Sequence, residues 1–446
     1  MELTEEQQGV ISELFSHGVL VTPSILEKVQ QGAQVDEFIT AKVASDKVVV
    51  VESYKDVHKK LTFQDFTGLF SARYNVLSNI ILKNHNLPNM ISAKNALYKQ
   101  DKDSISLIGL ITEQRISTNG HLMITLEDLT GEIKVLVNKN RTELFSFAQS
   151  LFLDGCIGVT GKCGDRIIFA DNVVLPDIPD APIKKLSKKK KIAFTSDFHY
   201  GSKHFYKKEF KAFISWLSAD PVDYLFLLGD LVEGVGVYPG QEKDLNVTNL
   251  LEQYSKFARH LKKISPKTQI IICPGNHDAV RLAEPQPAFN KEYCMPLFDL
   301  PNVTLMTSPG VVEVEGVKVL MYHGYSFPYY ANEVEVIRQA GGMKRSDIIM
   351  EALLKHRHLA PTYASTQMLP DSMKDPLVIS TVPDFFVSGH IHTTTKHQYK
   401  SVTCLNCSAW VGMTEYQKKI GLVPDPCKVF IVDLSTREVV EKSFME

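Results

Sequence analysis

Two rhythms of apolar positions divide this chain. From Ser104 to Pro179 apolar and polar residues alternate over short runs bounded by turn signals, whereas from Lys191 onward short solid apolar runs take turns with helical periodicity. In the first part, residues 105–116, 122–126 and 133–137 predict three strands, punctuated by Asn119-Gly120 and Thr130-Gly131. A helix-like segment over 142–153 separates them from further strands over 156–160 and 166–174. Three strands, a helix and two strands is the order of an OB-fold, a small barrel used on single-stranded nucleic acid and also as a protein docking surface. Phe169 is the only stacking aromatic within these strands, which tilts the reading toward protein docking.

In the second part, strands are expected over 191–196, 223–228 and 269–273, with amphipathic helices over 207–217 and 247–264 between them. Later strands over 317–322, 385–388 and 428–432 extend the pattern into a layered α/β sandwich. Apolar strands alternating with helices argue for a largely parallel sheet covered on both faces, with its functional loops at the carboxyl ends of the strands.

Upstream the pattern is helical. Thr4 and Gln7 form a capping box before Val10, Ile11 and Leu14, with Gly18 placed as a stop; Pro23, Ile25, Leu26 and Val29 suggest a second short helix ending at Gly32. Val48, Val49, Val50 and Val51 read as a buried strand, and residues 63–82 as a helix whose Phe66, Phe70 and Tyr74 belong to the core rather than to a base-stacking surface. The expected domains are therefore a small helical region over 1–45, a strand and helix connecting region over 46–103, the OB-fold over 104–179, a basic linker over 180–190 and an α/β unit over 191–446. Pro176, Pro179 and Pro182 followed by the lysines from Lys184 to Lys191 mark that linker as exposed; the same lysines could equally hold a phosphate backbone.

Composition narrows the classes without choosing among them. The chain has 446 residues, 44% of them hydrophobic, and a net charge of −2, so nucleic-acid binding would have to come from a local basic surface. The 7 cysteines show no disulfide-framework spacing, which fits a reducing cytoplasmic setting. Cys404 and Cys407 form a CxxC without a second pair and read as structural. The acidic N-terminus has no apolar signal core, and no run approaches the roughly 20 apolar residues of a membrane span.

The chemistry lies at the strand ends. Asp197 and His199 follow the first strand of the α/β unit, Asp230 the second, and Asn276, His277 and Asp278 the third; His323 and the pair His390 and His392 follow later ones. If those loops converge, the oxygen and nitrogen ligands meet at one sheet edge and suit two divalent cations, a usual device for attacking a phosphate ester. Asp230 is the natural bridge, since a carboxylate can share its oxygens. The imidazoles shift preference away from magnesium toward manganese, iron or zinc, with manganese expected first. His277 remains as a general acid for the leaving oxygen, with Asp278 beside it to orient or support the imidazolium. His204, His356, His358 and His397 fall outside this pattern and are expected at the surface, behind the ligands or against substrate.

This ordered set resembles the calcineurin-like metallophosphoesterase superfamily over 191–446. The resemblance implies a four-layer α/β sandwich, with Asp197, His199, Asp230 and His392 around one metal, Asp230, Asn276, His323 and His390 around the other, and His277 as acid. A narrower resemblance covers nearly the whole chain. The barrel ahead of the phosphoesterase, the segment from Leu69 to Tyr74, the segment from Lys355 to Tyr363, and the segments Asp375-Pro376-Leu377-Val378-Ile379 and Val382-Pro383-Asp384 are similar to the small subunit of archaeal family D DNA polymerase. That resemblance implies a 3′-to-5′ proofreading exonuclease acting on a single-stranded or mismatched primer end, partnered by a large polymerase subunit. Eukaryotic relatives generally lose the metal ligands, which this chain keeps. No convincing clamp-binding motif is found, so a sliding clamp stays an open partner. The alternatives are a non-catalytic scaffold subunit and a metallophosphatase acting on phosphoproteins or small molecules.

Overall fold

The computed structural model describes residues 4–16, 23–30, 48–56, 59–99, 102–371 and 373–445. It is a multidomain α/β protein containing one closed barrel of five strands and two sheets of six strands each. Among the described residues, no helix is long and apolar enough to cross a membrane.

The barrel is built from Ser104–Ile116, Leu122–Asp128, Gly131–Val137, Cys156–Gly164 and Ile167–Val174, with the helix Thr142–Gln149 between its third and fourth strands. It closes because the long first strand pairs with both the second and the fourth, shifting register between Ile111 and Glu113. Its inward positions, among them Leu107, Ile124, Val135, Val159 and Ile168, form a separate apolar core.

One large sheet runs Val303–Leu305, Gln269–Cys273, Tyr224–Leu228, Lys191–Thr195, Lys428–Asp433 and Val439–Ser443, its first four strands parallel. The other runs Val48–Ser53, Gly310–Val314, Val317–Met321, Phe385–Ser388, Val402–Asn406 and Thr395–Tyr399. Phe194, Phe226 and Ile271 from the first meet Val319, Phe385 and Leu405 from the second in one core. Lys207–Ala219 and Leu250–Leu261 pack on the outer face of the first sheet, and Ser346–His356 on that of the second. Strands buried on both faces explain why the sequence shows solid apolar runs rather than alternation.

Two expectations are corrected here. The valine run does form a strand, but at a sheet edge: Val48 is buried while Val49, Val50 and Val51 are 55%, 48% and 37% exposed. His356 and His358 are also core residues. His356 stacks on Phe152 at 4.3 Å, and His358 is fully buried against Asp375. The capping box of Thr4 and Gln7 is present, while Gly18 and Gly32 lie outside the described residues.

The helix Phe63–Asn84 clasps the barrel to the two-sheet body. Leu77 and Ile81 pack on Ile108 and Cys156 of the barrel, and Phe66 and Phe70 set their edges against Tyr363. Arg73, fully buried, donates to Asp375 Oδ2 at 2.7 Å and to the carbonyls of Asp154 and Pro361. His358 Nε2 reaches the same carboxylate oxygen at 2.8 Å, and Leu377 N donates to the other. The cysteines are all free and buried; Cys404 and Cys407 enter different cores on opposite sides of their sheet.

Candidate metal centre

Every expected ligand follows directly on a strand. Lys191–Thr195, Tyr224–Leu228 and Gln269–Cys273 deliver Asp197, His199, Asp230, Asn276 and His277 from one sheet, and Val317–Met321 and Phe385–Ser388 deliver His323, His390 and His392 from the other. Because these strands are parallel within each sheet, their carboxyl ends share an edge. Between the polar residues, Phe198 and Ile391 are buried anchors, Phe198 stacking on Trp410 at 5.7 Å.

The backbone there is held in an uncommon conformation. Asp197, His199, Asp230, His390 and His392 have φ of 53°, 48°, 49°, 68° and 61°, in the left-handed region that side chains ordinarily avoid. Such strain persists where surrounding structure enforces it, and it gathers at functional sites. Two glycines make the room: a Cβ at Gly275 would run into the Asp230 carboxylate, and one at Gly389 into Ser196 and Asp197.

Among the described residues, three groups bring ligand atoms within 4.8 Å of one another: Asp197, His199 and His392; His199, Asp230 and His277; Asp230, His323 and His390. Their hydrogen bonding tests whether a cation fits. His323 Nδ1 donates to the Leu228 carbonyl at 2.7 Å, so its neutral ring turns a bare Nε2 toward Asn276 Oδ1 at 3.0 Å and Asp230 Oδ2 at 3.3 Å. The Nε2 atoms of His199 and His392 face each other at 3.2 Å, and the buried Asp197 Oδ1 has no hydrogen-bond donor. Lone pairs converging this way repel unless a proton or a cation lies among them.

Burial opposes charge on His323 and His199, but Asp230 and Asp197 around the first, and Glu233 with both aspartates around the second, push them up to about 10 and about 9. Burial likewise disfavours ionised Asp197 and Asp230, yet the neighbouring imidazoles hold both below the usual carboxylate range. His390 goes the other way, pushed down to about 3 by burial and the charge of His323, and its backbone N donates to Asp197 Oδ2.

His277 N donates to Asp230 Oδ1 at 2.7 Å and its ring Nδ1 donates to the Glu233 carbonyl at 2.9 Å, leaving Nε2 for a substrate oxygen. The support expected from Asp278 is not what the contacts give. Its carboxylate accepts from Gly275 N, Leu231 N and Tyr254 Oη, and burial with the charge of Asp230 pushes it up to about 7, so it braces the loop rather than the imidazole.

Two residues escaped the sequence reading. Glu233, three positions after Asp230, sets Oε2 3.0 Å from His199 Nδ1, in ion-pair range though off the line of a hydrogen bond. Gln417 donates from Nε2 to His392 Nδ1 at 2.8 Å while its Oε1 accepts from Thr414 N in a capping box. A bare Nε2 on His392 therefore requires the Gln417 amide to reverse. An acid three positions past a strand-end aspartate was a findable signal for Glu233; Gln417 had none.

With this geometry established, relatives define the class. Residues 192–397 match the family model that describes the B subunits of DNA polymerases alpha and epsilon. The chain is 34% identical to the DNA polymerase II small subunit of Thermoplasma acidophilum over 98% of itself and 93% of that protein. It is 35% identical to that of Methanothermobacter thermautotrophicus, covering 85% and 79%, and 36% identical to that of Archaeoglobus fulgidus, covering 95% and 86%. The chain belongs to the DNA polymerase II small subunit family. A solved archaeal phosphodiesterase overlaps 56% of this chain and 98% of its own at 15% identity with a TM-score of 0.30, too distant to carry an argument.

Proposed function

We propose that this polymerase subunit is a two-metal 3′-to-5′ exodeoxyribonuclease that removes mismatched primer ends and scaffolds a large polymerase subunit. We read its two-sheet body as the four-layer sandwich of calcineurin-like phosphoesterases and its barrel as an OB-fold. The observation that carries the reading is the convergence of imidazole Nε2 atoms and carboxylate oxygens at the shared sheet edge.

Two divalent cations, manganese first among them, would be held by Asp197, His199 and His392 on one side and Asn276, His323 and His390 on the other, with Asp230 between. When bound they would offset phosphate charge and activate water. The chain's own part is positional and protonic. Attack by a water oxygen on the last phosphodiester forms one P–O bond and breaks the bond to the 3′ oxygen. His277, acting as the imidazolium, gives that oxygen the proton on Nε2 while the attacking water sheds one to solvent, releasing a nucleoside 5′-monophosphate and a strand shorter by one. The Glu233 carbonyl fixes the ring and leaves Nε2 to that task.

The test is a 3′-labelled, mismatched primer with manganese, using the subunit alone and with the large subunit. Digestion abolished by Asp230→Ala and by His277→Ala is expected. No such digestion in either setting refutes the nuclease and leaves the scaffold, which the clasp through Arg73 independently favours by fixing barrel to body.

A further inference from the structure

A cavity of about 500 Å³ opens beside the proposed metal centre, with His390 in its wall. It falls within the usual range of about 300–1,000 Å³ for small-ligand sites. Its character differs from the metal side. Tyr325, Tyr329 and Tyr363 line it with Thr366 and Gln367, and among the described residues no lysine, arginine or carboxylate does so. Tyr325 sets its ring 5.6 Å from that of His390. Tyr329 is braced edge-on by Tyr330, and Tyr363 by Phe66 and Phe70, while Tyr363 still exposes 48% of its surface. The Gln367 amide makes no hydrogen bond to the described residues.

Uncharged aromatic walls with a free amide suit a flat, neutral, hydrogen-bonding ring and not a phosphate. The shared wall at His390 puts such a ring next to an ester held at the metal centre. We infer that this cavity receives the unpaired 3′-terminal base of a DNA strand whose last phosphodiester lies at the metal centre, stacking it on the tyrosines. The inference rests on the nuclease reading and deepens it: a paired end keeps its base in the duplex, so the cavity would select frayed or mismatched ends.

The test measures binding apart from hydrolysis. Single-stranded oligonucleotides ending in 2-aminopurine or in an abasic residue are titrated with the full chain in chelator, and their digestion with manganese is followed in parallel. Wild type should bind the base-bearing end roughly ten-fold more tightly. Tyr329→Ala should erase that preference and Tyr329→Phe should keep it. Equal affinity for both ends, or a preference that Tyr329→Ala and Tyr363→Ala leave untouched, overturns the cavity's role. Digestion without end preference sinks this inference alone; preference without digestion sinks the nuclease reading alone.

Discussion

Two buried clusters of acid and imidazole, the clasp and the candidate metal centre, are alike in composition and opposite in balance. In the clasp, Asp375 meets Arg73, His358 and a backbone N–H, and the chain supplies its own cation. Burial and the Arg73 charge push His358 down to about 4, so the imidazole stays neutral. At the metal centre no arginine or lysine approaches Asp197 or Asp230 within ion-pair distance among the described residues; Asp197 Oδ1 lacks a donor, and His323 and His199 are pushed up to about 10 and about 9. The backbone agrees in part, since Asp197, His199, Asp230, His390 and His392 sit at positive φ whereas Asp375 and His358 do not. A buried cluster that closes its own charge holds a fold together. One whose imidazole and carboxylate atoms face each other without such a partner offers a place for a cation.

Substitutions can break this contrast. The largest effect is expected for Asp230→Ala, which should lower DNA digestion by roughly a thousandfold or more by removing the carboxylate proposed to hold both cations, while the melting temperature in chelator stays the same or rises. Arg73→Met should do the reverse. Stranding buried Asp375 costs about 3–5 kcal/mol, seen as a lower denaturant midpoint, with the manganese affinity of the folded protein unchanged.

Proton linkage sharpens the same point. Because His199 and His323 hold protons below about 9 and about 10 and must lose them to ligate, manganese affinity should climb as pH rises from 6 toward 9. Calorimetry in buffers of different ionisation enthalpy should register proton release on binding; no release would mean the cation lies elsewhere. A smaller effect is expected at Gln417. Gln417→Glu keeps the capping box and accepts from His392 Nδ1, so manganese should bind about ten-fold more tightly, whereas unchanged affinity would remove His392 from the ligand set.

Most of the candidate centre's convergence was legible because its residues stand where apolar strands stop. Asp197, Asp230 and His323 need only the rule that parallel strands end at a common edge. Three of the four polymerase-like segments gain a physical meaning in the fold: their Arg73, His358 and Asp375 are the clasp. What stayed hidden depends on neighbours remote in sequence. Val49 to Val51 look like a core strand until their place at a sheet edge is known, and His356 looks like a surface residue until Phe152 is seen against it. Asp278 was assigned to His277 by adjacency along the chain, whereas the loop turns it toward Gly275 and Tyr254.

The central question is whether the unbalanced cluster takes two cations. Anomalous diffraction from crystals grown with manganese tests this most directly. The prediction is two peaks about 3.5–4 Å apart, astride the Asp230 carboxylate and within ligating distance of His323 and His392. No peak at this edge, or a single one away from Asp230, would contradict it.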